Sequence, residues 1–124
     1  MKLPGLMLAT AMLALCADAA TARAETFKVR TTGDLLAVCA PGKAGAASAG
    51  AVQFCDGFIV GTGQLYKALR QAGAIDKEWA CAEPAPAVTR IREAFVSWAR
   101  AHPERHGETA VDGFWRAAAA TWPC

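Results

Sequence analysis

The sequence predicts a small all-α domain of four helices that is held together by two disulfides. Apolar residues recur at helical spacing between residues 51 and 121, and proline or glycine interrupts them at intervals. No segment alternates with a period of two for long enough to predict a strand. An even number of cysteines beyond the N-terminal segment is typical of a disulfide framework in a short exported chain. These cysteines are Cys39, Cys55, Cys81 and Cys124.

Residues 1–24 have the pattern of an export signal. Lys2 supplies the positive end, Leu6–Ala17 the apolar run, and Ala22-Arg23-Ala24 a cleavage site of the small-x-small type. We expect cleavage after Ala24, which would leave a single domain over residues 25–124 in the periplasm. Cys16 would be lost with the signal. Lipid attachment at Cys16 is the competing interpretation, but the large Leu15 before it argues against this.

The charge of the mature chain excludes some partners. Removing the signal leaves 11 basic and 10 acidic residues, a net charge of +1 with neutral histidines. There is no long basic run and no membrane-spanning segment. We therefore expect neither nucleic acid nor a membrane surface as a partner.

The first half of the domain is predicted to hold two helices. The first begins at Thr32, with a threonine cap and an acid in its first turn, and ends near Cys39, where Ala40-Pro41-Gly42 follows. Lys43–Gly50 is predicted to be a loop of small residues. The second helix is predicted over Ala51–Ala72, closed by Gly73. The apolar residues at helical spacing along it are Phe54, Phe58, Ile59, Leu65, Tyr66 and Leu69. Gly57 and Gly61, one turn apart, suggest close approach by another helix.

The second half is predicted to hold a connector and two more helices. The connector, Ala74–Pro86, carries Trp79 and Cys81, and the third helix runs from about Ala85 to His102. Pro103 ends it and suits the first turn of the fourth helix, which runs to about Thr121. The residues predicted to face inward are Val88, Ile91, Phe95 and Trp98 in the third helix, and Ala110, Val111, Phe114, Trp115 and Ala118 in the fourth.

The helix order selects one of the three ways to pair four cysteines. Cys39 ends the first helix and Cys55 lies in the first turns of the second, so a short connection brings them together. Cys81 precedes the third helix and Cys124 follows the fourth, and two antiparallel helices place those ends side by side. A zinc site is the rival use of the cysteines. The spacing lacks a C-x-x-C pair, and an exported protein meets an oxidising compartment.

The remaining polar residues do not form a catalytic set. His102 and His106 are separated by a helix-breaking proline, which argues against a metal pair. Ser48 and Ser97 lack the strand-turn-helix setting of a hydrolase nucleophile. The acids near residues 104–108 suit the positive end of a helix dipole. We therefore expect a binding protein, with no enzyme activity, metal or cofactor.

Four motifs in order resemble the Rap/Tai family of type VI secretion immunity proteins. They are Phe54-Cys55-x-Gly57-Phe58-Ile59-x-Gly61, Cys81 followed closely by Pro84, His102-Pro103-Glu104, and the terminal Pro123-Cys124. The resemblance covers residues 35–124. It departs from the family at Phe58, where tyrosine is usual, and between Cys81 and Pro84, where one residue is usual rather than Ala82 and Glu83.

The resemblance implies an all-helical periplasmic protein that binds and inhibits a peptidoglycan amidase effector. It also implies that the chain could form homodimers, as several members do. A periplasmic binding or stress protein without a toxin partner is the alternative from another class, and a small hydrolase is a third.

Two segments are the candidate contact regions, because the helices do not explain them. Lys43–Gly50 is small enough to enter a cleft. The other is Ala74–Trp79, where a charged run ends in an aromatic residue of the kind enriched at binding hot spots. Its partner-binding candidates are Asp76, Lys77, Glu78 and Trp79. Packing of Trp79 over Cys81 is the alternative interpretation of that residue.

Overall fold

The computed structural model describes residues 26–42 and 45–124, and for residues 45–48 the backbone alone. The predicted signal, residues 1–24, lies outside the described part. Four α-helices form the fold, and the described residues contain no strand. The helices are α1 (Thr32–Cys39), α2 (Gly45–Gln71), α3 (Val88–Ala101) and α4 (Ala110–Thr121), with a short 3₁₀ turn at Pro103–Arg105. The predicted all-α four-helix class is confirmed.

The shortest helix, α1, is the centre of the fold, because it contacts each of the other three. Its cap is Thr31, one residue before the predicted start. The Thr31 side chain accepts a hydrogen bond from the Asp34 amide, and the Asp34 carboxylate accepts from the amides of Thr31 and Arg30. These hydrogen bonds lower the pKa of Asp34 below its usual value. Leu35, in the second turn, is completely buried.

The core is small and consists of residues from all four helices. Phe95 of α3 and Phe114 of α4 lie with their ring centroids 6.4 Å apart. Because a domain of this size buries a limited apolar area, the disulfides add needed stability. The fully or nearly fully buried apolar residues are Leu35, Val38, Cys39, Ala51, Cys55, Ile59, Phe95, Ala99, Ala110, Phe114, Ala117 and Ala118.

Each disulfide fastens the end of one helix to another part of the fold. Cys39–Cys55 links the end of α1 to α2, with the two Cα atoms 5.1 Å apart. Cys81–Cys124 links the connector to the chain end after α4, with a Cα separation of 5.0 Å. These are the partners that the helix order predicts. They close loops whose ends are 16 and 43 residues apart, which in the chain-entropy model is worth about 3 and 4 kcal/mol.

The N-terminal half of α2 differs from the prediction. The segment Lys43–Gly50 was expected to be a loop, but α2 already begins at Gly45. Residues 43 and 44 lie outside the described part. The alanines at positions 46, 47 and 49 explain the difference, because alanine has the highest helix propensity and outweighs the adjacent glycines.

The predicted apolar stripe of α2 is buried only in part. Of its residues, Ile59 is buried, whereas Phe54 and Leu65 are 38% and 61% exposed. Ala51 and Cys55, which were not part of the stripe, are buried as well. The physical reason is the Cys39–Cys55 disulfide, which turns the Cys55 edge of the helix toward α1.

Gly57 and Gly61 of α2 do not lie at a contact with another described helix. A Cβ atom added at Gly57 or Gly61 would meet nothing within 4 Å. The expected close approach of another helix at this pair is therefore wrong within the described structure. The close contact lies at Gly113 in α4, where an added Cβ would fall 2.1 Å from the Oγ1 atom of Thr32.

The α3–α4 corner is more broken than predicted. Pro103 was expected to begin the fourth helix, but it begins a 3₁₀ turn, and α4 starts only at Ala110 after the Thr109 cap. A pair of backbone hydrogen bonds from α1 explains the break, because the amides of Thr32 and Gly33 donate to the carbonyls of Glu108 and His106. Val111, expected inward, is 47% exposed.

Candidate partner-binding surface

The connector between α2 and α3 begins at a glycine that reverses the chain. Gly73 has a φ angle of +69°, which glycine adopts without the strain of a Cβ atom. Its amide donates to the Arg70 carbonyl at 3.0 Å, and the Ala74 amide donates to the Leu69 carbonyl at 2.9 Å. These bonds close α2 and send the connector back along the helix.

Two polar contacts hold the returning segment against α2. The guanidinium of Arg70 lies 2.9 Å from the carboxylate of Glu78. The amide of Trp79 donates to the hydroxyl of Tyr66 at 3.1 Å. Both α2 residues lie one turn apart on the same face, so the segment is anchored at two adjacent points.

Trp79 belongs to a cluster of three aromatic rings. Its centroid lies 5.1 Å from Tyr66 and 5.2 Å from Trp115, and those two rings are 4.6 Å apart. Such contacts are worth about 0.5–1.5 kcal/mol per pair. Trp79 therefore packs on α2 and α4 and still leaves 43% of its surface exposed.

The four candidate contact residues share one exposed segment. Asp76, Lys77, Glu78 and Trp79 are all exposed. Among them, Glu78 and Trp79 are held in place by the contacts above. The sequence analysis did not identify the role of Tyr66. Tyr66 is the chain's single tyrosine and lies on the same face of α2 as Ile59, and these two features could have indicated its contact with the connector.

Downstream, the connector is fixed to the end of α4. Cys81 is bonded to Cys124, and its amide donates to the Trp122 carbonyl at 2.9 Å. The carboxylate of Glu78 and these two sulfurs lie within 4.8 Å of one another, which is within reach of a metal ion. Because both sulfurs are used in the disulfide, they offer no thiolate to zinc.

The histidines have structural contacts in the α3–α4 corner. A ring nitrogen of His102 donates to the Trp98 carbonyl at 2.7 Å, and its ring stacks on the Trp98 indole with centroids 4.6 Å apart. A ring nitrogen of His106 donates to the Ala99 carbonyl at 2.8 Å. Each histidine thus bonds to the last turns of α3 by itself rather than pairing with the other.

The acids of this corner bind arginines. Glu108 accepts hydrogen bonds from Arg105 at 2.6 Å and Arg116 at 2.7 Å. The hydrogen bond from Arg105 is the main reason that the pKa of Glu108 lies below its usual value. Away from this corner, Asp56 of α2 pairs with Arg92 of α3. The Glu108 contacts therefore stabilise the α3–α4 corner, and the Asp56–Arg92 pair joins two helices.

Fold and surface together define a small, disulfide-linked, all-helical protein with an exposed charged and aromatic segment. Residues 31–124 match the family model described as Rap1a immunity proteins. The match spans more than half of the chain and includes all four helices and both disulfides, so the chain belongs to this family. No curated protein and no solved structure matches it.

Family membership establishes the general role of the chain. It is a non-catalytic immunity protein, and its partner is a toxin effector protein. The two disulfides and the family together indicate an exported protein. Among the described residues, no helix is long and apolar enough to cross a membrane.

Proposed function

We propose that this chain is a periplasmic immunity protein that binds and blocks a peptidoglycan amidase effector of type VI secretion. The observation that carries the proposal is the family match, which begins at the Thr31 cap and runs through α4 to Cys124. The motifs that resemble the Rap/Tai family lie within the matched range, and that resemblance supplies the amidase as the effector class.

Compartment and processing form part of the same proposal. The export signal over residues 1–24 would be removed after Ala24, and the domain over residues 25–124 would fold in the periplasm. Both disulfides support this location, because such bonds form and persist in oxidising compartments.

We assign effector contact to the segment from Asp76 to Trp79. Trp79 presents a half-exposed ring, while Tyr66 and Arg70 hold its backbone and its neighbour in place. A preorganised segment loses less conformational entropy on binding, and tryptophan is one of the residue types enriched at hot spots. Binding of this surface over the amidase cleft would exclude its substrate without any chemistry.

We further propose that the outer face of α2 joins two copies of the chain. Between residues 49 and 66, every exposed residue is uncharged, and three of them are large and apolar: Phe54, Val60 and Leu65. Gly57 and Gly61 lie open on the same face and would let a second helix approach closely. Light scattering should give a dimer mass for the purified domain and a monomer mass for Leu65→Glu.

The function is tested by protection of cells from lysis. The chain is exported in cells that send a type VI amidase effector to the periplasm, with each candidate amidase encoded near the gene expressed in turn. The wild-type chain should prevent lysis and should bind the purified amidase. If the chain binds none of these amidases and protects against none of them, the amidase proposal is contradicted. That result would favour a periplasmic binding protein without a toxin partner.

The contact surface has its own variant. Trp79→Ala should weaken amidase binding by about 2 kcal/mol, the threshold for a hot spot, or roughly 30-fold. Val111→Ala is the control, because Val111 is apolar, 47% exposed and lies on α4. Equal binding by Trp79→Ala and wild type, with unchanged circular dichroism, would remove this segment from the interface.

A further inference from the structure

A cavity of about 640 Å³ opens between the second half of α2, the connector and α4. Its volume lies within the range of about 300–1,000 Å³ that is typical of ligand pockets. The lining is mainly apolar and contains four aromatic residues. These are Tyr66, Phe114, Trp115 and Trp122.

The walls of the cavity are held by covalent and polar contacts. Cys81, on the connector wall, is bonded to Cys124 and donates its amide hydrogen to the Trp122 carbonyl. On the α2 wall, the Tyr66 hydroxyl accepts from the Trp79 amide. The cavity is therefore preformed, and filling it requires little ordering of the protein.

The rim of the cavity carries one unpaired charge of each sign. Arg70 and Glu78 line the rim but pair with each other. Lys67 and Glu83 are exposed and also line the cavity, and neither forms an ion pair within residues 26–42 and 45–124. An occupant with an apolar body and a flanking charge of each sign would satisfy this rim.

We propose that the cavity receives one bulky apolar side chain of the effector. Its flanking residues would include an acid that faces Lys67 and a base that faces Glu83. The cavity and the contact segment from Asp76 to Trp79 form one continuous patch. Glu78 belongs to both, and two further residues of the cavity lining, Tyr66 and Trp115, contact Trp79. An apolar anchor in a pocket with a polar rim is the usual arrangement of a hot spot. The identity of the partner rests on the proposed function.

The test uses a phage-displayed library of peptides and one variant that fills the cavity. Gly63 lines the cavity, and a Cβ atom there would meet nothing within 4 Å, so Gly63→Leu adds bulk without a clash. Ala37→Leu is the control, because Ala37 is an exposed helical residue that does not line the cavity. Circular dichroism and thermal melts establish that both variants fold.

Selection on the wild-type domain should enrich peptides with a tryptophan, phenylalanine or leucine anchor flanked by an acid and a base. Gly63→Leu should bind these peptides at least tenfold more weakly, and Ala37→Leu should bind them as the wild type does. Lys67→Glu should shift the preference from a flanking acid to a flanking base.

Two results of the peptide experiment would overturn the proposal. One is equal peptide binding by the wild type and Gly63→Leu. The other is a selection that enriches no peptides with an apolar anchor. This includes the case in which a small apolar dye, such as anilinonaphthalene sulfonate, binds the cavity while peptides do not. Failure of the proposed function would be seen in the cell-protection experiment, where the wild-type chain would neither bind an amidase nor protect cells against it. If Gly63→Leu protects cells as fully as the wild type, the proposed function stands but the cavity takes no part in it.

Discussion

Replacing Gly113 by alanine should separate α1 from α4. The new Cβ would lie 2.1 Å from Oγ1, 2.5 Å from Cγ2 and 2.8 Å from Cβ of Thr32. Ordinary contacts between such atoms are about 3.5–4.0 Å, so the helices must move apart by roughly an ångström or Thr32 must change rotamer. Thr32 is completely buried and its hydroxyl donates to the carbonyls of Glu108 and Thr109, at 3.3 and 3.1 Å. Either movement weakens those bonds.

The expected loss of stability is the balance of two costs and one gain. Overpacking a core costs about 1–3 kcal/mol. Loss of the Thr32 hydroxyl bond costs about 1 kcal/mol. The gain from replacing a helical glycine by alanine is about 1 kcal/mol, so the net loss is again about 1–3 kcal/mol. For a domain of this size, each kcal/mol lowers the Tm by about 4–8 °C.

Urea unfolding followed by circular dichroism measures this effect, and a double-mutant cycle locates it. Thr32→Ala removes the two Thr32 atoms that come closest to the new Cβ. The double variant Thr32→Ala with Gly113→Ala should therefore lose less stability than the sum of the single losses. Gly113→Ala that is as stable as the wild type, or a cycle that is strictly additive, would refute the close α1–α4 contact.

Three further predictions concern other parts of the molecule. Gly61→Ala, made in the monomeric Leu65→Glu background, should raise the free energy of unfolding by up to about 1 kcal/mol in urea titration, because its Cβ meets no neighbour within the chain and alanine favours the helix. A loss would restore the close packing first expected there. Cys124→Ser should cost about 2–5 kcal/mol in the same assay and leave Cys81 free to react with a thiol reagent, whereas a wild-type domain that already reacts would contradict the bond. Glu108→Gln should flatten the acid limb of the stability curve. The pKa of Glu108 is lowered in the folded state, so its contribution to stability is full above the unfolded pKa and is lost as the pH falls through the folded pKa. Denaturation midpoints at a series of acid pH values measure this loss. An unchanged acid limb would show that the Arg105 contact does not contribute to stability.

Local patterns in the sequence were sufficient to predict the helices. The end of α1 before Pro41, the closure of α2 at Gly73 and the end of α3 before Pro103 each depend on backbone restrictions that proline and glycine carry in any context. The prediction failed at residues 45–50, where glycines among alanines were given too much weight as helix breakers.

The direction in which α2 faces could not be predicted from its own residues. Apolar and small residues occur all around this helix, so several stripes at helical spacing are compatible with the sequence. The Cys39–Cys55 bond and packing against α1 select the stripe through Ala51, Cys55 and Ile59. Phe54 and Leu65 are exposed as a result.

The candidate binding surface was likewise visible only in part from the sequence. Its charged run and its tryptophan are visible in residues 76–79 as an unexplained segment of the chain. The clamp by Tyr66 and Arg70, the ring contact with Trp115 and the cavity beside them join residues up to 63 positions apart in the sequence, Ile59 and Trp122 of the cavity lining. The sequence by itself determined the number of helices, their order and the family, because backbone propensity and residue spacing are local properties. Tertiary structure alone decided which faces are buried and where the cavity lies, because these depend on how the helices rotate to fill one small core.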